Sequence, residues 1–462
     1  MVAKEHPLKI GLEIHTYLDT NEKLFCKCST NPDNKQNSNI CPICTGTPGS
    51  KPMLPNKEAM KKLIQIGLIL GCKIESDSDL IFQRKHYNWP DLPKGFQNTI
   101  SGAHCKFPAH NGKFKNIGIW ECHLEEDPAQ WNPETGHINY NRSGLPLAEI
   151  VTAPDFKDIK TVLGWLKSFI LSLSYIKAIK KTSGIKVDVN VSTYGKRAEI
   201  KNLNSLEKIE KALKYEIARQ IEAHKNGEEL TMETRRYDEG KGITMVMRSK
   251  ENAADYRFIS DPDLPIIRLD SKWVKKIEKN LPETPDEKLN KLLKEHEIDK
   301  KDAVILSKNL ELVEFFEELV KEGINAKKNM SWVTIELLRV LNYNKLNLDD
   351  PEIDIKASHL AELIKMVEAG GLTVLKGKQI MNDFIPKSFS ITEKGDIGKI
   401  ADDAVANICV QVIEQNIKAV DDYKNGNENS LNYLVGQVMR LSERRADFKT
   451  AREELVKLIR KE

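Results

Sequence analysis

Four cysteines crowd the start of the chain: Cys26-Lys-Cys28, then twelve intervening residues, then Cys41-Pro-Ile-Cys44. Two close pairs of thiolates bridged by a short loop can close a tetrahedron around zinc, with sulfur about 2.3 Å from the metal. The plain alternative is four buried free cysteines, against which stands the CPIC run, a tight turn whose two thiols converge. A four-sulfur site leaves no open coordination position, so its expected task is to fix a loop rather than to catalyse. Cys72, Cys105, Cys122 and Cys409 are spread singly, and such clustering in a reducing compartment favours a metal over disulfides.

A second set of residues lies on alternating, strand-like runs. In LKIGLEIHTYL, Leu8, Ile10, Leu12 and Ile14 take one face, and Glu13, His15 and Tyr17 the other. Glu121, His123 and Glu125 alternate likewise in WECHLEED, and Glu149 stands between apolar neighbours in GLPLAEIV. If these strands adjoin, three carboxylates and a histidine form a hard, oxygen-rich site suited to magnesium or manganese holding nucleotide phosphates. Otherwise they are surface residues of half-exposed strands; alternation leaves both readings open, because it does not say which strands pair. Positive charge is also local: residues 157–220 hold fourteen Lys and Arg against six Asp and Glu, and the tail run VMRLSERRADFKTAR adds Arg440, Arg444, Arg445, Lys449 and Arg452. A polyphosphate partner or a solvated helical face would explain either run. No G-x-x-x-x-G-K-[ST] or strand-linked G-x-G-x-x-G run is present, so any ATP chemistry proceeds without a P-loop. No segment resembles a glutaminase nucleophile elbow.

The elements that must hold these residues read as an α+β region followed by an all-helical one. From residue 8 to about 270, short strands broken by Gly, Pro and Asn carry two embedded helices. One opens after Pro154 and runs through TVLGWLKSFILSLSYI; the other follows Ser205 as its cap and ends at Gly227. NLPETPDEKLN, residues 280–290, marks a boundary, beyond which helical periodicity takes over. FIPKSFSITEKGD suggests a further break, leaving a small C-terminal unit whose first helix begins at about 397.

The 462 residues, 40% hydrophobic, suffice for several domains, and a net charge of +3 excludes a generic polyanion binder. The charged N-terminus, MVAKEHPLKIGLEIH, lacks the apolar core of a signal segment, and no run approaches the roughly 18 apolar residues of a membrane span. A cytoplasmic location is expected.

Several strings in order resemble one family, the B subunits of the glutamyl/aspartyl-tRNA amidotransferases, over nearly the whole chain. They are GLEIHTYL, CPICTGTPGSKPMLPN, FQRKHYNWPDLPKGFQ, HLEEDPAQ, NYNRSGLPLAEIV, VDVNVS with EIKNLNS, ETRRYDEGKG, MRSKENAADYRFISDPDLP and YLVGQVM. The resemblance implies a large mixed cradle domain with an antiparallel sheet over residues 1–285, a helical domain over 286–396 and a mobile tRNA-binding tail over 397–462. It implies Glu13, His15, Glu125 and Glu149 as catalytic magnesium ligands, residues the alternation also marks, and Cys26, Cys28, Cys41 and Cys44 as zinc ligands. The tail's Arg440, Arg444, Arg445 and Lys449 become candidates for holding tRNA. Two departures stand out: Lys186 where relatives commonly carry Arg, which weakens any bidentate anion contact there, and Ile259-Ser260 in place of Phe-Pro.

The activity so implied is that of a carbon–nitrogen ligase. ATP phosphorylates the side-chain carboxylate of Asp-tRNA(Asn) or Glu-tRNA(Gln). Ammonia from a glutaminase partner, the A subunit, completes the amide, with a small C subunit in the complex. Cofactors would be ATP, magnesium and structural zinc. Rival readings are a non-catalytic tRNA-binding zinc scaffold, and the archaeal Gln-specific paralogue, which normally carries a large inserted domain for which this chain has no room.

Overall fold

A computed structural model describes residues 8–31, 35–101, 105–180, 184–249, 257–394 and 397–461. Parts of the string MRSKENAADYRFISDPDLP and the junction expected at 396/397 lie outside those residues. The chain divides into two compact units at Thr284/Pro285.

The first unit contains, in order, β1 (Lys9–Tyr17), α1 (Lys57–Ile69), β2 (Lys73–Ile74), β3 (Asp79–Leu80), β4 (Gln83–His86), β5 (Gln97–Thr99), β6 (Ala109–Phe114), β7 (Ile117–Glu126), β8 (Gln130–Trp131), β9 (Ile138–Asn139) and β10 (Pro146–Thr152). It continues with α2 (Ile159–Tyr175), β11 (Ile185–Ser192), β12 (Ala198–Leu203), α3 (Leu206–Lys225), β13 (Glu233–Asp238), β14 (Ile243–Ser249), β15 (Arg257–Ser260), β16 (Ile267–Arg268) and α4 (Ser271–Lys279). Twelve strands form one sheet in the order β14-β13-β12-β11-β1-β10-β7-β5-β4-β15, with β6 also on β7 and β2 on β6. Every pairing in it is antiparallel except β12 with β13. This is the mixed domain with a mainly antiparallel sheet that the family resemblance implies.

The period of two decides what each face of the sheet does. Ile10, Leu12 and Ile14 of β1, Ala148 and Ile150 of β10, Cys122 and Leu124 of β7 and Val187, Val189 and Val191 of β11 are buried on one face. There they share a core with Val162, Trp165 and Phe169 of α2 and Ile209, Ala212 and Leu213 of α3. The opposite face is left to the acids, imidazoles and lysines. α3 begins where its cap predicts, with Ser205 accepting from the Lys208 N–H, and Gly227 follows its end at φ +76°. α2 begins at Ile159 under an Asp158 cap. A third helix, α1, stands where only strands are expected. Its signals are local nonetheless: Asn56 caps the Glu58 and Ala59 N–H groups, and Ala59, Met60, Leu63, Ile64 and Ile66 give it a buried stripe.

The second unit is helical; among its described residues the only β pairing is an isolated bridge between Asp354 and Lys387. It comprises α5 (Pro285–Glu295), α6 (Lys300–Leu306), α7 (Leu310–Lys321), α8 (Ala326–Ser331), a π-helical turn (Trp332–Leu337), α9 (Leu338–Asn344), α10 (Ala357–Glu368), α11 (Val374–Asn382), a 3₁₀ turn (Ile391–Lys394), α12 (Asp402–Gln415), α13 (Ile417–Lys424), α14 (Glu428–Leu441) and α15 (Phe448–Lys461). Two apolar clusters fill it, one from Leu292 to Ile391 and one from Val405 to Ile459. The last group of helices opens at Asp402, not at about 397, because residues 397–401 form an extended approach: Lys399 N–H donates to Gly371 O (2.7 Å) and Ile400 N–H to Arg445 O (3.3 Å).

Candidate functional site

Strand pairing brings the alternating acids and imidazoles together. β1 lies between β10 and β11, and β10 between β1 and β7, so His15, Glu149 and His123 stand directly opposite one another across three strands. Glu149 Oε2 is 3.3 Å from His15 Nε2 and 3.4 Å from His123 Nε2. Glu125 Oε1 is 3.7 Å from His123 Nε2 and 3.6 Å from Lys85 Nζ, and Glu125 Oε2 accepts from Gln97 Nε2 at 2.9 Å. Glu121 Oε1 faces the other ring nitrogen of His123 at 3.8 Å.

Three overlapping groups of donor atoms result, each within 4.8 Å: His15 with Glu125 and Glu149, Glu13 with His15 and Asp188, and Glu121 with His123 and Glu149. Of the four ligands expected together, His15, Glu125 and Glu149 therefore converge. Glu13 belongs to the neighbouring group, sharing His15 and facing Asp188 across the β1–β11 pair. Asp188 is absent from the sequence-based ligand set, although Asp188 and Asn190 alternate on β11 as Glu13 and His15 do on β1. His123 is marked by the alternation of its strand but falls outside the four residues that the resemblance implies.

This centre fits a divalent cation. His15 Nδ1, both ring nitrogens of His123 and Glu125 Oε1 are buried and have no hydrogen-bond partner among the described residues. Unmet buried polar atoms ordinarily cost about 1–3 kcal/mol each, a cost that a cation held by one of these donor groups would reduce. Carboxylates with imidazole suit magnesium or manganese. The electrostatics agree: burial works against ionising His123, but Glu149 and Glu125 outweigh it and hold the imidazole well above its usual range. Burial also opposes the Glu149 carboxylate, yet His123 and His15 hold it well below the usual value. Protons on the imidazoles thus balance charge that a cation would balance instead.

Above these groups opens a cavity of about 650 Å³. Its lining includes Glu13, His15, Glu125 and Asp188, and the cations Lys85, Arg142, Lys186 and Lys201. Lys201 Nζ is 2.7 Å from Asp188, 2.5 Å from Glu199 and 3.8 Å from Glu13. Arg142 Nε is 3.0 Å from Asp127, which also accepts from the Tyr17 hydroxyl at 2.7 Å. Nothing in their own runs marks Lys85, Arg142 or Lys201 as site residues, since it is the folded sheet that brings Glu125 to Lys85, Asp127 to Arg142 and Glu13 to Lys201.

The four clustered cysteines are free thiols whose sulfurs all lie within 4.8 Å of one another. A zinc tetrahedron with bonds of about 2.3 Å has sulfur–sulfur edges of about 3.8 Å; Cys41 and Cys44 are 3.9 Å apart. The knuckle turn needs Gly46, at φ +67°, where a Cβ would collide with Pro93 O. A thiol hydrogen bond from Cys26, helped by Lys23, holds Cys44 down to about 4, and burial pushes Cys28 up to about 11.

The two basic runs have different fates. On α3, Lys211 pairs with Glu207 and Lys214 with Glu210, an ordinary solvated helix face, while Lys201 turns into the cavity. In the tail, Arg440, Arg444 and Lys449 are exposed, whereas Arg445 is half-buried and donates from Nε to Gly398 O at 2.7 Å.

Among the described residues no helix is long and apolar enough to cross a membrane. A family profile described as the GatB/GatE catalytic domain matches residues 8–275, and one described as the GatB domain matches residues 314–459. A protein of Methanocaldococcus jannaschii, named as the B subunit of an aspartyl/glutamyl-tRNA(Asn/Gln) amidotransferase, is 44% identical over 459 residues, 95% of each chain. Proteins of the same name from Methanococcus maripaludis and Methanosphaera stadtmanae are 41% and 42% identical, the first over 99% of this chain and 100% of its own length, the second over 95% and 96%. With a catalytic-domain match spanning nearly the whole strand-built unit and full-length relatives above 40% identity, this chain belongs to the GatB family, the B subunits of the aspartyl/glutamyl-tRNA(Asn/Gln) amidotransferases.

Proposed function

We propose that this chain is the carboxylate-activating, tRNA-binding subunit of a cytoplasmic amidotransferase, and that its cavity is where activation occurs. A carboxylate resists ammonia because it repels nucleophiles and lacks a leaving group. One oxygen of the Asp or Glu side chain, on tRNA(Asn) or tRNA(Gln), attacks the γ-phosphorus of ATP, and ADP leaves. Ammonia then attacks the resulting acyl phosphate, phosphate departs with its electron pair, and loss of a proton from nitrogen leaves Asn-tRNA or Gln-tRNA. The observation that supports this best is one cavity with a floor of buried, unsatisfied acid and imidazole groups and walls carrying Lys85, Arg142, Lys186 and Lys201.

Magnesium held by His15, Glu125 and Glu149, with Glu13 in the adjoining group that shares His15, would supply neutralisation of the phosphates and alignment for in-line transfer. The rest falls to the chain. Lys85 and Lys186 offer positive charge to incoming phosphates, and Lys201 holds Glu13, Asp188 and Glu199 in place by its ion pairs. With no glutaminase nucleophile motif in the sequence, ammonia comes from a glutaminase partner, the A subunit, which assembles with a small C subunit. Zinc on Cys26, Cys28, Cys41 and Cys44 is structural. Arg440, Arg444 and Lys449 hold the tRNA body. The alternative of the inserted-domain paralogue is disfavoured by relatives named as B subunits that align over 95% or more of both lengths.

The test is release of γ-phosphate from labelled ATP by the assembled complex, with and without misacylated Asp-tRNA or Glu-tRNA. Release should require charged tRNA and fall about a hundredfold or more with Glu125→Gln, tRNA binding being retained. Release indifferent to both would leave a tRNA-binding scaffold.

A further inference from the structure

Lys23 is 1% exposed, and its ammonium makes no ion pair with a carboxylate among the described residues. It donates to Asn39 O (3.1 Å) and Tyr140 O (3.3 Å), and its remaining contact is Cys44 Sγ at 3.5 Å. A buried ammonium without a counter-charge is costly, and the one neighbour of Lys23 able to carry that charge is the Cys44 sulfur. Zinc with four thiolates carries a net negative charge and would keep that balance.

The same cluster is stitched to residues 138–144, the segment that leads into β10. Asn37 Oδ1 accepts from Tyr140 N–H (2.6 Å), and Asn37 Nδ2 donates to Ile138 O (3.0 Å). Asn39 N–H donates to Asn141 Oδ1 (3.0 Å), and the Ser143 hydroxyl donates to Cys44 O (2.7 Å). Between these anchors Arg142 turns the other way, to Asp127, Pro128 O (3.1 Å) and Ala129 O (2.7 Å) at the cavity wall. The loop between the two cysteine pairs thus grips the segment on one side, and the cavity takes its guanidinium on the other.

We propose that the metal–thiolate centre is a positioning device for the cavity: Lys23 balances its charge, and together with the loop of residues 35–44 it clamps residues 138–144 so that Arg142 stands against Asp127. The inference rests on the four-thiolate reading of the cysteines and on the functional reading of the cavity. Lys23 and Ser143 are positioning residues, since neither lines the cavity.

The test uses the full-length chain. Lys23→Met should surrender zinc to a colorimetric chelator about tenfold more readily or worse, and Lys23→Arg, which restores the charge, should recover most of that loss. Stripping zinc from the unaltered chain, which needs no variant to fold, should speed hydrogen exchange of amides in 138–145 about tenfold or more while peptides of β1 and β10 hold. In the assembled complex, γ-phosphate release should fall in parallel. Zinc retention by Lys23→Met equal to the unaltered chain, or exchange in 138–145 indifferent to zinc, would overturn the proposal, as would an unaltered chain that takes up no zinc. If γ-phosphate release is absent throughout but exchange still responds to zinc, the clamp stands and the functional reading of the cavity falls.

Discussion

Single residues in this protein matter chiefly through the partners that burial leaves them. Glu216, 0% exposed, accepts from Arg219, Gln220 and Thr244, and lies 3.3 Å from Arg235. Glu216→Ala removes the acceptor shared by Arg219, Gln220 and Thr244, while Arg235 keeps Glu233 and Thr244, and should cost about 1–3 kcal/mol in urea unfolding. Burial alone would raise this carboxyl, but Arg219, Thr244 and Gln220 hold it below the ordinary 4.5. Its stabilisation is therefore complete above that value and is lost as pH falls through the lowered one, so variant and parent should converge in stability in acid. Glu125→Gln is the corresponding functional case: it should remove γ-phosphate release and leave tRNA affinity unchanged. Alternation in the sequence already puts Glu13 and His15 on one face of their run and His123 and Glu125 on one face of theirs, and Glu149 stands out as an acid among apolar neighbours. It cannot show that Glu149 sits between two imidazoles, because that depends on strands brought from far along the chain.

At the scale of elements, tight packing can reverse a propensity. α1 crosses the sheet edge at Gly67, where a Cβ would lie 2.6 Å from Ala109 Cβ and 3.0 Å from Ile74 Cδ1. Gly67→Ala gains about 1 kcal/mol of helix propensity but overpacks the β2–β6 contact by about 1–3 kcal/mol, so it should lower the melting temperature. Gly164 of α2 has nothing within 4 Å of a built Cβ, and Gly164→Ala should raise it. The pair of melting curves separates packing from propensity, and equal shifts would refute the argument. α1 is masked in the sequence although its Asn56 cap and apolar stripe are legible, because the strand signals on both sides draw the whole region into one pattern.

For the whole molecule, charge is nearly balanced, so attraction to a nucleic acid has to be local. If the tail grips tRNA, replacing Arg440, Arg444 and Lys449 together with Ala should weaken binding and reduce the slope of log affinity against log salt by about two. Arg445→Ala should act differently, loosening the tail, because its Nε is already committed to Gly398 O. Binding measured across a salt series distinguishes them; an unchanged slope for the triple variant would remove the tail from the tRNA interface.

What the sequence determined by itself was local. Spacing brought four thiols within reach of one metal, a period of two sorted the faces of β1 and β7, Ser205 started α3, and helical periodicity took over after residue 285. Only the tertiary structure decided that β1 lies between β10 and β11, that His15 and His123 share Glu149, that Glu13 groups with Asp188, and that the cysteine loop grips the segment bearing Arg142. The physical reason is that alternation fixes a residue's face but not its neighbour. Strand pairing and register come from the burial of a whole apolar face, which no local window contains.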